Sequence, residues 1–327
     1  MSRKVLTGNA KHQIHVVFDR QKDDVHAMSL TRGTNNHLSP TEDDVGPLRE
    51  CMEELNKLIG LHQIKDFVRE IYAWLEIGKR RKAAGLLAEQ QVLHMIFAGN
   101  PGTGKTTVAR ILSHLLREMG VLTKGHLVEV ERADLVGEYI GHTAQKTREH
   151  VRKALGGILF IDEAYSLARG GDKDFGKEAI DTMVKSMEDY KNDFVLILAG
   201  YSEEMEFFLH SNPGLPSRFP IRLSFPDFMI DELMLIAELM VKEKQYRFSM
   251  AAKEKLRAHL KREMQQNSAH FGNARYVRNI IEQAIRLQAV RLLSSKYVNR
   301  DDLMTLRGED FQLDESAKKT AVYSWYN

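Results

Sequence analysis

The sequence predicts an α/β fold: a large domain built on a five-stranded parallel sheet, followed by a small all-α domain. Three observations predict it. Five short apolar runs between residues 92 and 225 alternate with stretches of helical period, the pattern of a parallel sheet with right-handed crossovers. Three of those runs are apolar almost throughout, as in strands buried on both faces. Beyond "FPDF" the β-like runs stop, and only helical periodicity remains to about residue 294.

In chain order, residues 1–45 are a polar extension, with one β-like run, "QIHVVF", and a linker, "TRGTNNHLSPTEDD". The large domain spans 46–228. It opens with two helices. Leu48, Met52, Leu55, Leu58 and Ile59 mark the first, and Ile64, Phe67, Val68, Ile71 and Leu75 line one face of the second, over 63–81. The strands are "VLHMIFAG" (92–99), "HLVEVE" (126–131), "GILFID" (157–162), "FVLILAG" (194–200) and "IRLSF" (221–225). Helices over 230–242, 251–266 and 274–294 make the small domain, 229–295, and a polar tail, 296–327, ends in "VYSWYN".

Composition bounds the function. Forty-seven basic against 45 acidic side chains leave a net charge of +2, so no global field draws the chain to nucleic acid or to a membrane. No apolar run approaches the roughly 20 residues of a membrane span. The N-terminus has no secretory signal pattern. Cys51 is the only cysteine, which excludes an internal disulfide, fits a reducing cytoplasm and reads as an inert thiol.

The chemistry concentrates in "GNPGTGKT", residues 99–106, between an apolar run and a helical one. This is the G-x-x-x-x-G-K-[ST] pattern. Gly102 and Gly104 give backbone N–H groups room to wrap a polyphosphate, with Asn100, Pro101, Thr103 and Thr107 completing the cradle. The positive end of the next helix adds to that field. Lys105 places a charge on the outer phosphates, and Thr106 offers a hydroxyl to Mg²⁺. The companion is "GILFIDEAYS", which delivers Asp162 and Glu163 to a strand's C-terminal end, where ligand sites of open α/β sheets lie. Asp162 would orient a water in the Mg²⁺ shell, and Glu163 would polarise the water that attacks the γ-phosphate. Two carboxylates capping the next helix are the other reading of this pair. ATP and Mg²⁺ are thus the expected cofactors, and hydrolysis the expected reaction.

The order of parts resembles the AAA+ ATPases, a P-loop NTPase family, over roughly residues 45–295. The segments "IYAWLEIGKRR", "GNPGTGKTTVAR", "ERADLVGEYIGHTAQKT", "GGILFIDEAYSLARGGDKDFGKEAID", "LAGY" and "NPGLPSRFP" are similar to the CbbX-like group. That group includes red-type Rubisco activases and a spore-formation branch, to which these segments are most similar.

The resemblance implies a nucleotide held between the large domain and a helical lid, in a homo-oligomeric, usually hexameric, ring. Ile59 and Gly60 stand where such proteins contact the adenine; core packing of a helix end is their other reading. Arg218 in "LPSRFP" matches the finger that reaches a neighbour's γ-phosphate, with a surface salt bridge as its alternative and Arg222 as a second candidate. Arg275 in "GNARYVRNIIEQA" matches the lid arginine called sensor 2, with Arg278 three residues on. Tyr201 and Ser202 follow the fourth strand where many relatives carry Asn or Thr, which leaves sensor 1 open. Tyr139, Ile140 and Gly141 stand at the aromatic-aliphatic-glycine pore loop, and residues 167–176 at a second.

The expected function is a cytoplasmic ATPase that remodels an unidentified protein client, with spore formation implied by the resemblance. Membranes and nucleic acids are not expected partners. Two other classes compete. One is a nucleotide-switched assembly or DNA-loading module. The other is a small-molecule kinase, which would leave Arg218, the lid and "YIG" without a role.

Overall fold

The computed structural model describes residues 46–87, 92–139, 141–169, 174–211, 214–266 and 271–313. The extension 1–45 with its "QIHVVF" run, Ile140, residues 170–173 of the candidate second pore loop and the tail from 314 lie outside the described residues.

Helices α1 (Gly46–Lys57) and α2 (His62–Ala83) precede strand β1 (Met95–Gly99). Then follow α3 (Lys105–Glu118), β2 (Leu127–Val130), α4 (Arg132–Leu135), α5 (His142–Ala154), β3 (Ile158–Ile161), α6 (Gly176–Asp189), β4 (Val195–Gly200), α7 (Ser202–Ser211), α8 (Leu215–Arg218) and β5 (Ile221–Phe225). The five strands are parallel, in the order β2-β3-β4-β1-β5.

The strand pleat sorts the apolar runs onto two cores. Met95, Phe97, Ile158, Phe160, Val195 and Ile197 face α1, α2 and α3, where Leu55, Ile64, Val68, Leu112 and Leu115 receive them. Ile96, Leu159, Ile161, Leu196 and Leu198 face the opposite layer, with Val151 of α5, Met183 of α6 and Phe208 of α7. Helices on both faces explain why β3 and β4 are buried at every position.

The lid comprises α9 (Ile230–Glu243), α10 (Met250–Gln266), α11 (Asn273–Leu293) and the short α12 (Arg300–Met304). Arg247–Phe248 also pairs in parallel with Thr305–Leu306, a contact absent from the sequence reading. The lid core joins Leu233, Ala237, Leu256, Leu260, Val277 and Ile281 to Leu306 and Phe311. This corrects the boundary at residue 295, because the segment to Phe311 belongs to the lid's core and is not a free tail. Polar groups hold it there. The Gln288 amide donates to the carbonyls of Asp302 at 2.9 Å and Leu303 at 3.0 Å, and Arg291 pairs with the buried Asp310 at 2.7 Å. Among the described residues no helix is long and apolar enough to cross a membrane.

Candidate functional site

The strand order sets the site. Because β4 lies between β3 and β1, the ends of all three open onto one edge of the sheet. β1 delivers the loop 99–104 to that edge. Gly102 and Gly104 take φ of +74° and +97°, a region in which a side chain is strained. Gly104 caps α3 without a side-chain hydrogen bond, so the first N–H groups of α3 stay available to an anion. Lys105 is 9% exposed, and its ammonium donates to the carbonyls of Gly99 and Asn100, each at 2.8 Å. Burial, first of all, pushes its pKa down; Arg275 adds to this, while Asp162, Asp227 and Glu163 oppose it. Thr103 is fully buried, its hydroxyl on the Asn100 carbonyl at 2.8 Å. Thr106 is half-buried and Thr107 exposed in the first turn of α3.

β3 brings Asp162 and Glu163 to the same edge. Asp162 accepts the Glu163 N–H at 3.0 Å. Glu163 is exposed and adopts φ +47°, a left-handed conformation costing an L-residue about 1 kcal/mol. Such strain gathers at functional positions. Tyr201, the first residue after β4, is half-buried, with its ring centroid 6.0 Å from that of Tyr165. Burial, then Glu163 and Glu204, raise the Tyr201 pKa, which keeps its O–H a donor. Ser202 is exposed and begins α7.

The lid closes directly on the loop. The Ala274 N–H donates to the Gly102 carbonyl at 3.2 Å. A Cβ on Gly102 would lie 2.4 Å from the Gly272 oxygen and 2.7 Å from the Arg275 nitrogen. Arg275 is exposed at this junction and its charge reaches Lys105 and Tyr201; Arg278, three residues on, is also exposed. Ile59 is half-buried and Gly60 buried, in a turn that continues into Leu61. Gly60 (φ +62°) and Leu61 (φ +55°) are both left-handed. A Cβ on Gly60 would lie 2.4 Å from Oε1 of Glu232 in the lid, and Leu61 packs against the cores of both domains.

Two predicted groups lie apart from this cluster. Arg218 donates to the Gly214 carbonyl at 2.9 Å and pairs with Glu188 of α6. It precedes β5, whose Ile221 stands beside Met95 and whose Phe225 stands beside Gly99. Arg218 is therefore at the end of the sheet opposite the loop, about 13 Å away along the strand alone. Arg222 is exposed on the edge strand β5. Tyr139 is 66% exposed with its ring edge on His142, centroids 5.5 Å apart, and Gly141 (φ +84°) caps α5 with open space around it.

The chain matches the ATPase family associated with various cellular activities (AAA) over residues 95–227 and the AAA lid domain over 229–321. It is 50% identical over 322 residues to stage V sporulation protein K of Bacillus subtilis (strain 168), covering 98% of this chain and 100% of that protein. The chain belongs to the AAA+ ATPases, in their CbbX-like group. Plasmid protein CbxX of Cupriavidus necator is 46% identical over 278 residues, covering 84% of this chain and 87% of that one. The chloroplastic ribulose bisphosphate carboxylase/oxygenase activase of Cyanidioschyzon merolae is 43% identical over 267 residues, with 80% and 90% covered.

As an AAA+ ATPase the chain binds and hydrolyses ATP. Sequence reasoning passed over three residues that the structure brings to the phosphate loop: Leu61, Asp227 and Asn273. Asp227 accepts the side-chain amides of Asn100 and Asn273, and Asn273 is fully buried at the head of α11. The available signal was the acid in "FPDF", two residues past the strand that lies beside the loop.

Proposed function

We propose that this AAA+ ATPase acts as a homo-oligomeric ring, hexameric as its family resemblance implies, that pulls a protein client through a central channel. The 50% identity to a sporulation protein supports a role in spore formation, and the lone cysteine supports a cytoplasmic setting.

ATP lies between the phosphate loop, the turn 59–61 and Arg275. Lys105 leaves the carbonyls of Gly99 and Asn100 for the outer phosphates. Glu163 accepts the proton of the attacking water. Thr106 and Asp162 are the residues that would hold Mg²⁺. One hydroxyl and one carboxylate fit an ion that keeps most of its shell as water and phosphate. When bound, Mg²⁺ neutralises charge on the phosphates. Arg218 serves the site of the next subunit, because its own phosphate loop is at the far end of the sheet. Arg275 and Tyr201 are the lid arginine and the donor at the sensor 1 position.

One observation carries the remodelling part of this reading: the 66% exposure of Tyr139. An aromatic side chain presented to solvent beside a left-handed glycine is free to grip a polypeptide, with large contact area and few rotamers lost. Arg132 of α4, just upstream, ties both flanks of the second loop. It donates to the Ser166 carbonyl at 2.6 Å and to Asp174 at 2.6 and 2.7 Å. The test is ATP turnover with a permanently unfolded polypeptide or with DNA added. Stimulation by the polypeptide alone is expected; stimulation by DNA alone overturns the reading.

A further inference from the structure

Asp227 sits on the short connection between β5 and α9, the one covalent link from the large domain to the lid. Its carboxylate takes the Asn100 amide with both oxygens, at 3.0 and 3.1 Å, and the Asn273 amide at 2.7 Å. Asn100 belongs to the phosphate loop, and its carbonyl carries both Lys105 and Thr103. Asn273 is the first residue of α11, is fully buried and adopts φ +45°. Its side-chain oxygen accepts the Phe228 N–H at 3.0 Å, and its amide also reaches the carbonyls of Phe271 at 2.9 Å and Pro101 at 3.4 Å.

Hydrogen bonds to a charged acceptor are about twice as strong as neutral ones and are directional. Both of these bonds come from neutral amides, one in each domain. A half-buried carboxylate engaged in this way is a poor device for stability alone, since the charge still bears part of its desolvation cost. It is a good device for holding two moving parts in register. The asparagine at 273 suits the left-handed backbone there, as most side chains would not.

We propose that Asp227 is a positioning residue that ties the phosphate loop to the lid, so that a triphosphate in the loop sets the lid's position. A bound polyphosphate draws Lys105 off the carbonyls of Gly99 and Asn100. Asn100 then shifts, Asp227 follows through its bond to the Asn100 amide, and Asn273 carries the movement to the head of α11. Arg275, two residues further on, moves with it. The inference rests on the ATPase reading of the loop and not on the ring or its client.

The test uses the full chain with three variants: Asp227→Asn, Asn273→Asp and the two combined. Each is assayed for affinity toward a fluorescent ADP analogue, for kcat, for melting temperature and for hydrogen exchange over residues 271–281 with and without nucleotide. Asp227→Asn removes the charge and keeps one acceptor oxygen, so that an NH2 group is turned toward a neighbouring amide in place of the second oxygen. Its kcat should fall roughly tenfold, within the usual range of coupling between sites. Nucleotide affinity and melting temperature should change little, and nucleotide-dependent protection of 271–281 should disappear. The double variant offers a donor at 227 to an acceptor at 273, but the new carboxylate also meets the carbonyls of Phe271 and Pro101, so kcat and protection should recover only in part. Two results overturn the proposal: unchanged kcat and protection in Asp227→Asn, or a joint loss of affinity, melting temperature and kcat that the double variant does not repair.

Discussion

The ammonium of Lys105 donates to the carbonyl oxygen of Asn100 at 2.8 Å, and to that of Gly99 at the same distance. A buried cation is thus satisfied by its own loop until a phosphate competes for it. Lys105→Ala should abolish nucleotide binding, because it removes the cation held inside the loop. Glu163→Gln should keep binding and lose turnover, because only the attacking water loses its proton acceptor. Titration with a fluorescent ADP analogue beside an ATPase assay separates the two; equal loss of binding in both variants contradicts the assigned roles.

Gly102→Ala should weaken nucleotide binding and loosen the lid together. The new methyl meets the Gly272 oxygen at 2.4 Å and the Arg275 nitrogen at 2.7 Å, and both are backbone atoms that cannot step aside alone. Gly141→Ala has the same sign of φ but open space, so it should cost only about 1 kcal/mol of local strain. The same titration on both variants checks the contrast, with Gly102→Ala expected to lose far more affinity.

Tyr139→Ala should leave the melting temperature unchanged, because a side chain 66% exposed leaves no cavity when truncated. A buried aromatic would have cost roughly 3–5 kcal/mol. Stimulation of the ATPase by an unfolded polypeptide should be lost. A marked fall in melting temperature contradicts the loop assignment.

Acid should destabilise the large domain through His94. The ring lies between Phe194 and Phe219, its Nδ1 accepting the Leu196 N–H at 2.9 Å. Burial lowers its pKa from 6.5 to about 4. Between those values the unfolded chain binds the proton more readily, so stability falls as pH falls, by about 3 kcal/mol across the window, and the loss is complete near pH 4. Urea unfolding across this window should show a slope smaller by about one proton in His94→Gln. An unchanged slope contradicts the assignment.

Much of this was legible because the decisive signals are local. Apolar runs bounded by glycine or, for the fifth, by proline marked all five strands, and the phosphate loop announced itself by residue type and spacing. What stayed hidden depends on long-range pairing. The segment ending at Phe311 read as a polar tail because polar groups anchor it: Asp310 is buried against Arg291, and Gln288 caps three carbonyls of the same stretch. Leu61 has no signature for its left-handed turn, since a leucine there looks like the next helical residue. Asp227 and Asn273 are 46 residues apart in sequence, and neither carries a local signal of the other. The place of Arg218 at the far end of the sheet came only from the parallel register of β1 and β5.

The central claim is that catalysis is shared between subunits, and mixing Arg218→Ala with Glu163→Gln tests it most directly. Each variant alone should lose most turnover; where arginine fingers have been removed the loss is roughly 10³–10⁵-fold. In mixed rings some sites combine an intact Glu163 on one subunit with an intact Arg218 on its neighbour. Activity should therefore return on mixing, with a maximum at intermediate ratios. If co-assembled mixtures stay as inactive as the separate variants at every ratio, Arg218 does not act across subunits and the shared site is wrong.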